Sequence, residues 1–140
     1  MIVVDTSGLI ALLDADDAHH DGVREAFDAA GDAWVLPWAI LPEVDYLATK
    51  YLGPKVALAF LRDVVRGVFR VTGYDADDMK RSVGLQQKYA SLELGLVDSV
   101  VMAQAMRFKA KAIVTLDRRH FRAVSFGGSP PPRLIPLDSP

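Results

Sequence analysis

Short apolar runs alternate with longer amphipathic stretches along almost the whole of this 140-residue chain. Ile2-Val3-Val4 is β-branched and too short for a helix, which predicts a buried strand. Thr6, Ser7 and Gly8 then place capping hydroxyls ahead of Leu9, Ile10, Leu12 and Leu13, the apolar positions of a helix. A polar knot from Asp14 to Asp17 precedes a second amphipathic stretch with Val23, Ala26, Phe27 and Ala30, stopped by Gly31. Residues 33–36 predict a strand ended by Pro37. Residues 39–52 predict a helix broken by Gly53-Pro54, and residues 56–65 another. A third strand is expected over residues 68–71 and a helix over 75–90, with a turn to Leu96. Asp98 then opens a helix reaching about Lys109, and residues 112–116 form the fourth strand. The Gly- and Pro-rich stretch 127–132 reads as a loop before a last short apolar run, residues 133–137.

Strands that alternate with helices predict an α/β fold in three layers, a central, mostly parallel sheet flanked by helices. The length is that of one domain, taken here as residues 1–140.

Composition narrows the chemistry. There is no cysteine, which removes disulfides, thiolate metal sites and thiol nucleophiles. No apolar run approaches the roughly 20 residues of a membrane span, and the N-terminus lacks the basic and apolar regions of a signal peptide. A cytoplasmic protein with no membrane partner is the expectation. The net charge of −2 argues against a strongly cationic nucleic-acid binder but hides an asymmetry. Residues 1–32 carry eight acids against Arg24, whereas residues 107–140 carry seven bases against Asp117 and Asp138. That split can make one basic surface on an acidic protein, or simply a solvated helix end and loop.

Fifteen of the 18 acids are aspartate, so position must distinguish them. In a parallel α/β fold the C-terminal strand ends and the helix N-termini share one edge, where ligands bind. Asp5 follows the first strand, and Glu43 lies in the first turns of the helix after the second. Asp98 is at or near a helix N-terminus, and Asp117 follows the fourth strand. A helix of about 12 residues runs roughly 18 Å away from that edge, and a strand of about five returns roughly 17 Å. Asp98 and Asp117 therefore come back to one rim.

Each acid also has a structural role open to it: Asp98 as a helix cap, Asp5 and Asp117 as turn residues, Glu43 as surface. Four such coincidences at one rim are harder to accept. Converging carboxylates repel unless a cation or a proton intervenes. An all-oxygen ligand set suits Mg²⁺ or Mn²⁺ over Zn²⁺ or Cu²⁺, and such ions typically act on phosphates. His19 and His20 lie on a polar surface stretch, while His120 follows Asp117 closely enough to approach the rim. No nucleophile elbow and no P-loop occur, and no histidine is placed to activate Thr6 or Ser7. Trp34 and Trp38 flank a strand end and read as core and rim packing before base stacking. A phosphatase of the haloacid-dehalogenase type needs a second Asp where Ser7 stands. A receiver domain needs an acidic pair at the first strand, where Asp5 is alone, and a lysine where Arg118 follows Asp117.

Four motifs in order resemble those of PIN domains, and among these most resemble the ribonuclease toxins of VapBC toxin–antitoxin modules. They are Val3-Val4-Asp5-Thr6-Ser7, Pro42-Glu43-Val44, residues 95–103 around Asp98, and residues 115–121 around Asp117. The likeness runs from Met1 to about Leu137. One position departs: many relatives carry a second acid where this chain has His120. The resemblance implies that Asp5 and Asp98 are the core ligands of one or two Mg²⁺ or Mn²⁺ ions, completed by Glu43 and Asp117, with Ser7 and Thr115 as auxiliary residues. It implies metal-assisted hydrolysis of RNA, often tRNA or ribosomal RNA, a homodimer, and inhibition by a cognate VapB-type antitoxin. Arg118, Arg119 and Arg122 are then expected beside the metal site, on RNA phosphates. The rival from another class is a PIN-like protein-binding module with weak or no nuclease activity.

Overall fold

Strands form where the chain is apolar on both faces, because helices cover the sheet from both sides. The computed structural model describes residues 1–127 and 130–139. It contains β1 (Ile2–Val4), α1 (Thr6–Leu13), α2 (His20–Ala30), β2 (Trp34–Pro37), α3 (Ile40–Leu52), α4 (Pro54–Val65) and β3 (Arg70–Thr72). These are followed by α5 (Ala76–Lys88), α6 (Leu96–Arg107), β4 (Ala112–Thr115), α7 (Arg118–Ala123) and β5 (Arg133–Pro136). The sheet order is β3-β2-β1-β4-β5, with every pairing parallel. β1 is the central strand: Val3 lies beside Val35 on one side and Ile113 on the other. Every residue of β1, β2 and β4 is buried, as the uninterrupted apolar runs required.

By the right-handed rule for parallel crossovers, the helices joining β1 to β3 and those joining β3 to β5 fall on opposite faces of the sheet. α1 packs against α2, α3 and β4, while α5 packs on α6 and α6 on β1 and β2. The chain reverses its direction of travel across the sheet between β1 and β4. That reversal opens a crevice beyond the strand ends, the place where ligands enter such folds. Gly8 lets α1 sit directly on β4, since a Cβ there would lie 2.4 Å from the Val114 carbonyl oxygen. Phe27, Trp34, Phe60 and Phe69 form a chain of ring contacts 5.1–5.6 Å apart that fills one side of the core. Trp38 sits beyond the end of β2 and packs on the exposed ring of Tyr74.

Some boundaries differ from the sequence expectation, each for a local reason. The third strand starts at Arg70 and not at Val68. The Gly67 and Val68 amides are engaged by the Val64 and Asp63 carbonyls, closing the C-terminus of α4, with Gly67 at a φ of 79°. The helix expected to open at Asp98 begins two residues earlier, capped by Gly95, so Asp98 is inside its first turn. It also ends earlier, at Arg107. The Lys109 and Ala110 amides close on Met106 and Ala105, and Lys109 itself adopts a φ of 48°. The last apolar run is the edge strand β5, while Gly128 and Ser129 of the expected loop lie outside the described residues. Among the described residues, no helix is long and apolar enough to cross a membrane.

Candidate metal centre

The crevice between β1 and β4 is a cavity of about 400 Å³. Asp5, Glu43, Asp98 and Asp117 all line it, and Asp98 and Asp117 together with His120 bring ligand atoms within 4.8 Å of one another. Each arrives on a different element. Asp5 directly follows β1, Glu43 stands in the first turn of α3, Asp98 in the first turn of α6, and Asp117 caps α7. Helix N-termini carry partial positive charge, which favours acids in these positions.

Asp5 is the most deeply placed of the four, with only 4% of its surface exposed. Its Oδ2 accepts hydrogen bonds from the hydroxyls of Thr115 at 2.8 Å and Ser7 at 3.1 Å. Those hydroxyls are themselves oriented by backbone, since the Leu116 amide donates to Ser7 Oγ and the Asp117 amide to Thr115 Oγ1. Ser7 and Thr115 thus clamp one carboxylate oxygen, and the other is spared by that clamp. The hydroxyl expected to cap α1 is used in this way instead: the helix begins at Thr6, and Ser7 lies inside it.

Burial pushes the Asp5 carboxyl up from 3.8 to about 6, and the charge of Asp98 adds to the rise against the pull of Thr115 and Ser7. Burial also raises Asp98; His120 opposes that rise, while Asp117 and Glu43 reinforce it. Two acids raised by desolvation and mutual repulsion are what a carboxylate cluster becomes without a neutralising cation. Thr6 lines the same cavity, and its buried hydroxyl has no hydrogen-bond partner among the described residues. Hard oxygen donors facing one cavity fit a small divalent ion.

His120 reaches the rim. Its Nδ1 is 2.6 Å from Asp117 Oδ2 and 3.8 Å from Asp98 Oδ2, and its amide donates to Asp117 Oδ1 at 3.0 Å. His19 and His20 are elsewhere, with His20 Nδ1 against the Ala11 carbonyl. The sequence reading missed Asp17, Ile10, Leu47 and Tyr51, which also line the cavity. Leu47 and Tyr51 were legible in principle, because they follow Glu43 by four and eight positions on one face of α3.

Two of the three arginines turn to the C-terminal segment. Arg118 donates to the Leu137 carbonyl at 2.9 Å, and Arg122 binds the Pro132 carbonyl and the Asp138 carboxylate. Arg119 is exposed in the first turn of α7. Arg107, the last residue of α6, holds both oxygens of buried Asp78 at 2.9 Å. A larger cavity of about 670 Å³ lies at the other end of α6, walled by Arg81, Lys109 and Lys111, and no carboxylate among the described residues lines it.

Known proteins carry the same frame. Residues 2–127 match the PIN domain family. The chain is 32% identical over 123 residues to Ribonuclease VapC26 of Mycobacterium tuberculosis, covering 88% of this chain and 91% of that one. Its fold is similar to the crystal structure of M. tuberculosis VapC20, a sarcin-ricin loop cleaving toxin, with a TM-score of 0.79 at 22% identity over 88% and 95% of the two chains. It is also similar to DNA-bound VapBC from Salmonella typhimurium, with a TM-score of 0.68 at 21% identity over 95% of each. From the match over residues 2–127 and the likeness to VapC26, this chain belongs to the PIN domain family.

Proposed function

We propose that this protein is a Mg²⁺- or Mn²⁺-dependent endoribonuclease, the toxin of a type II toxin–antitoxin module, which hydrolyses RNA phosphodiester bonds with an activated water. The observation that carries the reading is the convergence of Asp5, Glu43, Asp98 and Asp117 on one cavity at the β1/β4 crevice. VapC26, similar along nine-tenths of its length, is named a ribonuclease, and VapC20 a sarcin-ricin loop cleaving toxin.

Asp5 and Asp98 would be the core ligands, with Glu43 and Asp117 completing the set. A bound divalent ion lowers the pKa of water and offsets the charge that develops on the phosphate. The chain's own part is preorganisation. Thr115 and Ser7 hold Asp5 in one orientation, and backbone amides hold Thr115 and Ser7. Ile10, Leu47 and Tyr51 give the cavity an apolar wall beside the acids. Exposed Arg119 is the best placed of the three arginines to meet an RNA phosphate, since Arg118 and Arg122 are already engaged with the C-terminal segment. Tyr46, Tyr51, Leu58, Leu61 and Val65 expose apolar surface on α3 and α4, which supports a protein partner there, a VapB-type antitoxin or a second copy.

The test is purified protein on total RNA with Mg²⁺, with Mn²⁺ and with EDTA, beside Asp5→Asn and Asp98→Asn. Cleavage is expected only for the wild type with metal. Cleavage that persists in EDTA or in either variant refutes the mechanism. Growth arrest on expression, relieved by Asp5→Asn and by the product of an adjacent short reading frame, tests the toxin assignment.

A further inference from the structure

We propose that His120 is itself a ligand to the cation, and that its nitrogen tilts the site toward Mn²⁺ over Mg²⁺. The proposal rests on the metal-nuclease reading above and assigns a role to a rim side chain that reading leaves unused.

The imidazole is 20% exposed and is turned into the site, with Nδ1 facing Asp117 Oδ2 at 2.6 Å and Asp98 Oδ2 at 3.8 Å. One ligand atom from each of Asp98, Asp117 and His120 falls within a sphere where all lie no more than 4.8 Å apart. In an octahedral site with bonds of about 2.1 Å, neighbouring ligands stand about 3 Å apart and opposite ones about 4.2 Å. The observed spacings need only sub-ångström shifts to meet those values. The 2.6 Å contact has the length of a hydrogen bond and is shorter than a ligand–ligand spacing, so a shared cation requires the two groups to part by about 0.4 Å.

The pair is also anchored. The His120 amide donates to the other oxygen of Asp117, which caps α7, and His120 lies within that helix. Ring and carboxylate are therefore presented as a unit, facing Asp98 across the crevice. Imidazole is a poor ligand for Mg²⁺, which favours oxygen and holds its water tightly. Mn²⁺ accepts both nitrogen and oxygen. A neutral imidazole in place of a carboxylate also spares the cluster one more like charge beside Asp5 and Asp98, whose carboxyls already repel.

The experiment is pulsed electron paramagnetic resonance of Mn²⁺ bound to the full chain, read for ¹⁴N coupling, with Mn²⁺ and Mg²⁺ affinities measured by titration and competition. The wild type is expected to give a ¹⁴N signal that His120→Ala and His120→Asp lose, and His120→Asp to lower the Mn²⁺/Mg²⁺ preference about tenfold or more. Mn²⁺ bound by the wild type without ¹⁴N coupling, or an unchanged preference in folded His120→Asp, overturns the inference and leaves the metal site standing. Failure of the wild type to bind either ion, or binding undiminished by Asp98→Asn, overturns the metal reading itself. The wild-type spectrum decides the matter even where a variant does not fold.

Discussion

Asp5→Asn is expected to stabilise the metal-free protein at neutral pH while it ends cleavage. Asp5 is almost fully buried, and burial with the nearby Asp98 charge raises its carboxyl from 3.8 to about 6. That difference of about 2 pH units corresponds to roughly 3 kcal/mol between the charged and neutral forms. The sign follows from the direction. A group whose folded value is raised contributes stability below its unfolded value, near 3.8, and loses it as the pH climbs through about 6. At pH 7.5 without metal the wild type holds a buried carboxylate beside a second acid. Asparagine keeps an acceptor for Thr115 and Ser7 and removes the charge. Allowing for imperfect replacement of those hydrogen bonds, the gain is about 1–3 kcal/mol, several degrees in Tm. The assay is urea and thermal denaturation of both proteins in EDTA from pH 4 to 8. The two curves should converge as the pH falls below 6 and meet near pH 4. Saturating Mn²⁺ should restore the wild type and leave the variant unmoved, because only the native wild type binds the ion tightly. Parallel pH curves, or a variant less stable than the wild type at pH 7.5, refute the reasoning.

Gly8→Ala should destabilise by more than about 2 kcal/mol in thermal denaturation, because the new Cβ meets the Val114 backbone and forces α1 off β4. Arg107→Ala leaves the Asp78 carboxylate buried without its cation and should lose about 3 kcal/mol, with part recovered by adding Asp78→Asn in a double-mutant cycle. Arg119→Ala should weaken binding of single-stranded RNA to the Asp5→Asn protein and lower the slope of log affinity against log salt by about 0.7 for one lost phosphate contact. Arg118→Ala and Arg122→Ala should instead loosen the C-terminal segment, read as faster proteolysis there, because those side chains hold Leu137, Pro132 and Asp138.

Much of the site was legible because it depends on local patterns. Asp5 and Asp117 stand just past apolar runs that become strands, and Glu43 and Asp98 near the starts of amphipathic stretches. Counting residues along the last helix and strand returned Asp98 and Asp117 to one rim, and both line the cavity there. The Asp98 case shows the margin of that method: the helix starts at Leu96, yet a two-residue error does not move a carboxylate out of the first turn. The strand expected over residues 68–71 was harder to bound, because Gly67 and Val68 are spent on closing α4 before β3 can begin at Arg70.

The order of apolar runs determined by itself that this chain makes a parallel sheet with acids at one edge, since strand and helix periodicity are properties of a few neighbouring residues. Only the tertiary structure decided that β1 lies between β2 and β4, and so that Thr115 clamps Asp5 across 110 positions of sequence. It also decided that Arg118 and Arg122 turn to the C-terminal segment and that His120 faces Asp98 and Asp117. The raised carboxyl of Asp5 belongs with these. Desolvation and charge repulsion sum over groups brought together from distant parts of the chain, and no local pattern carries that sum.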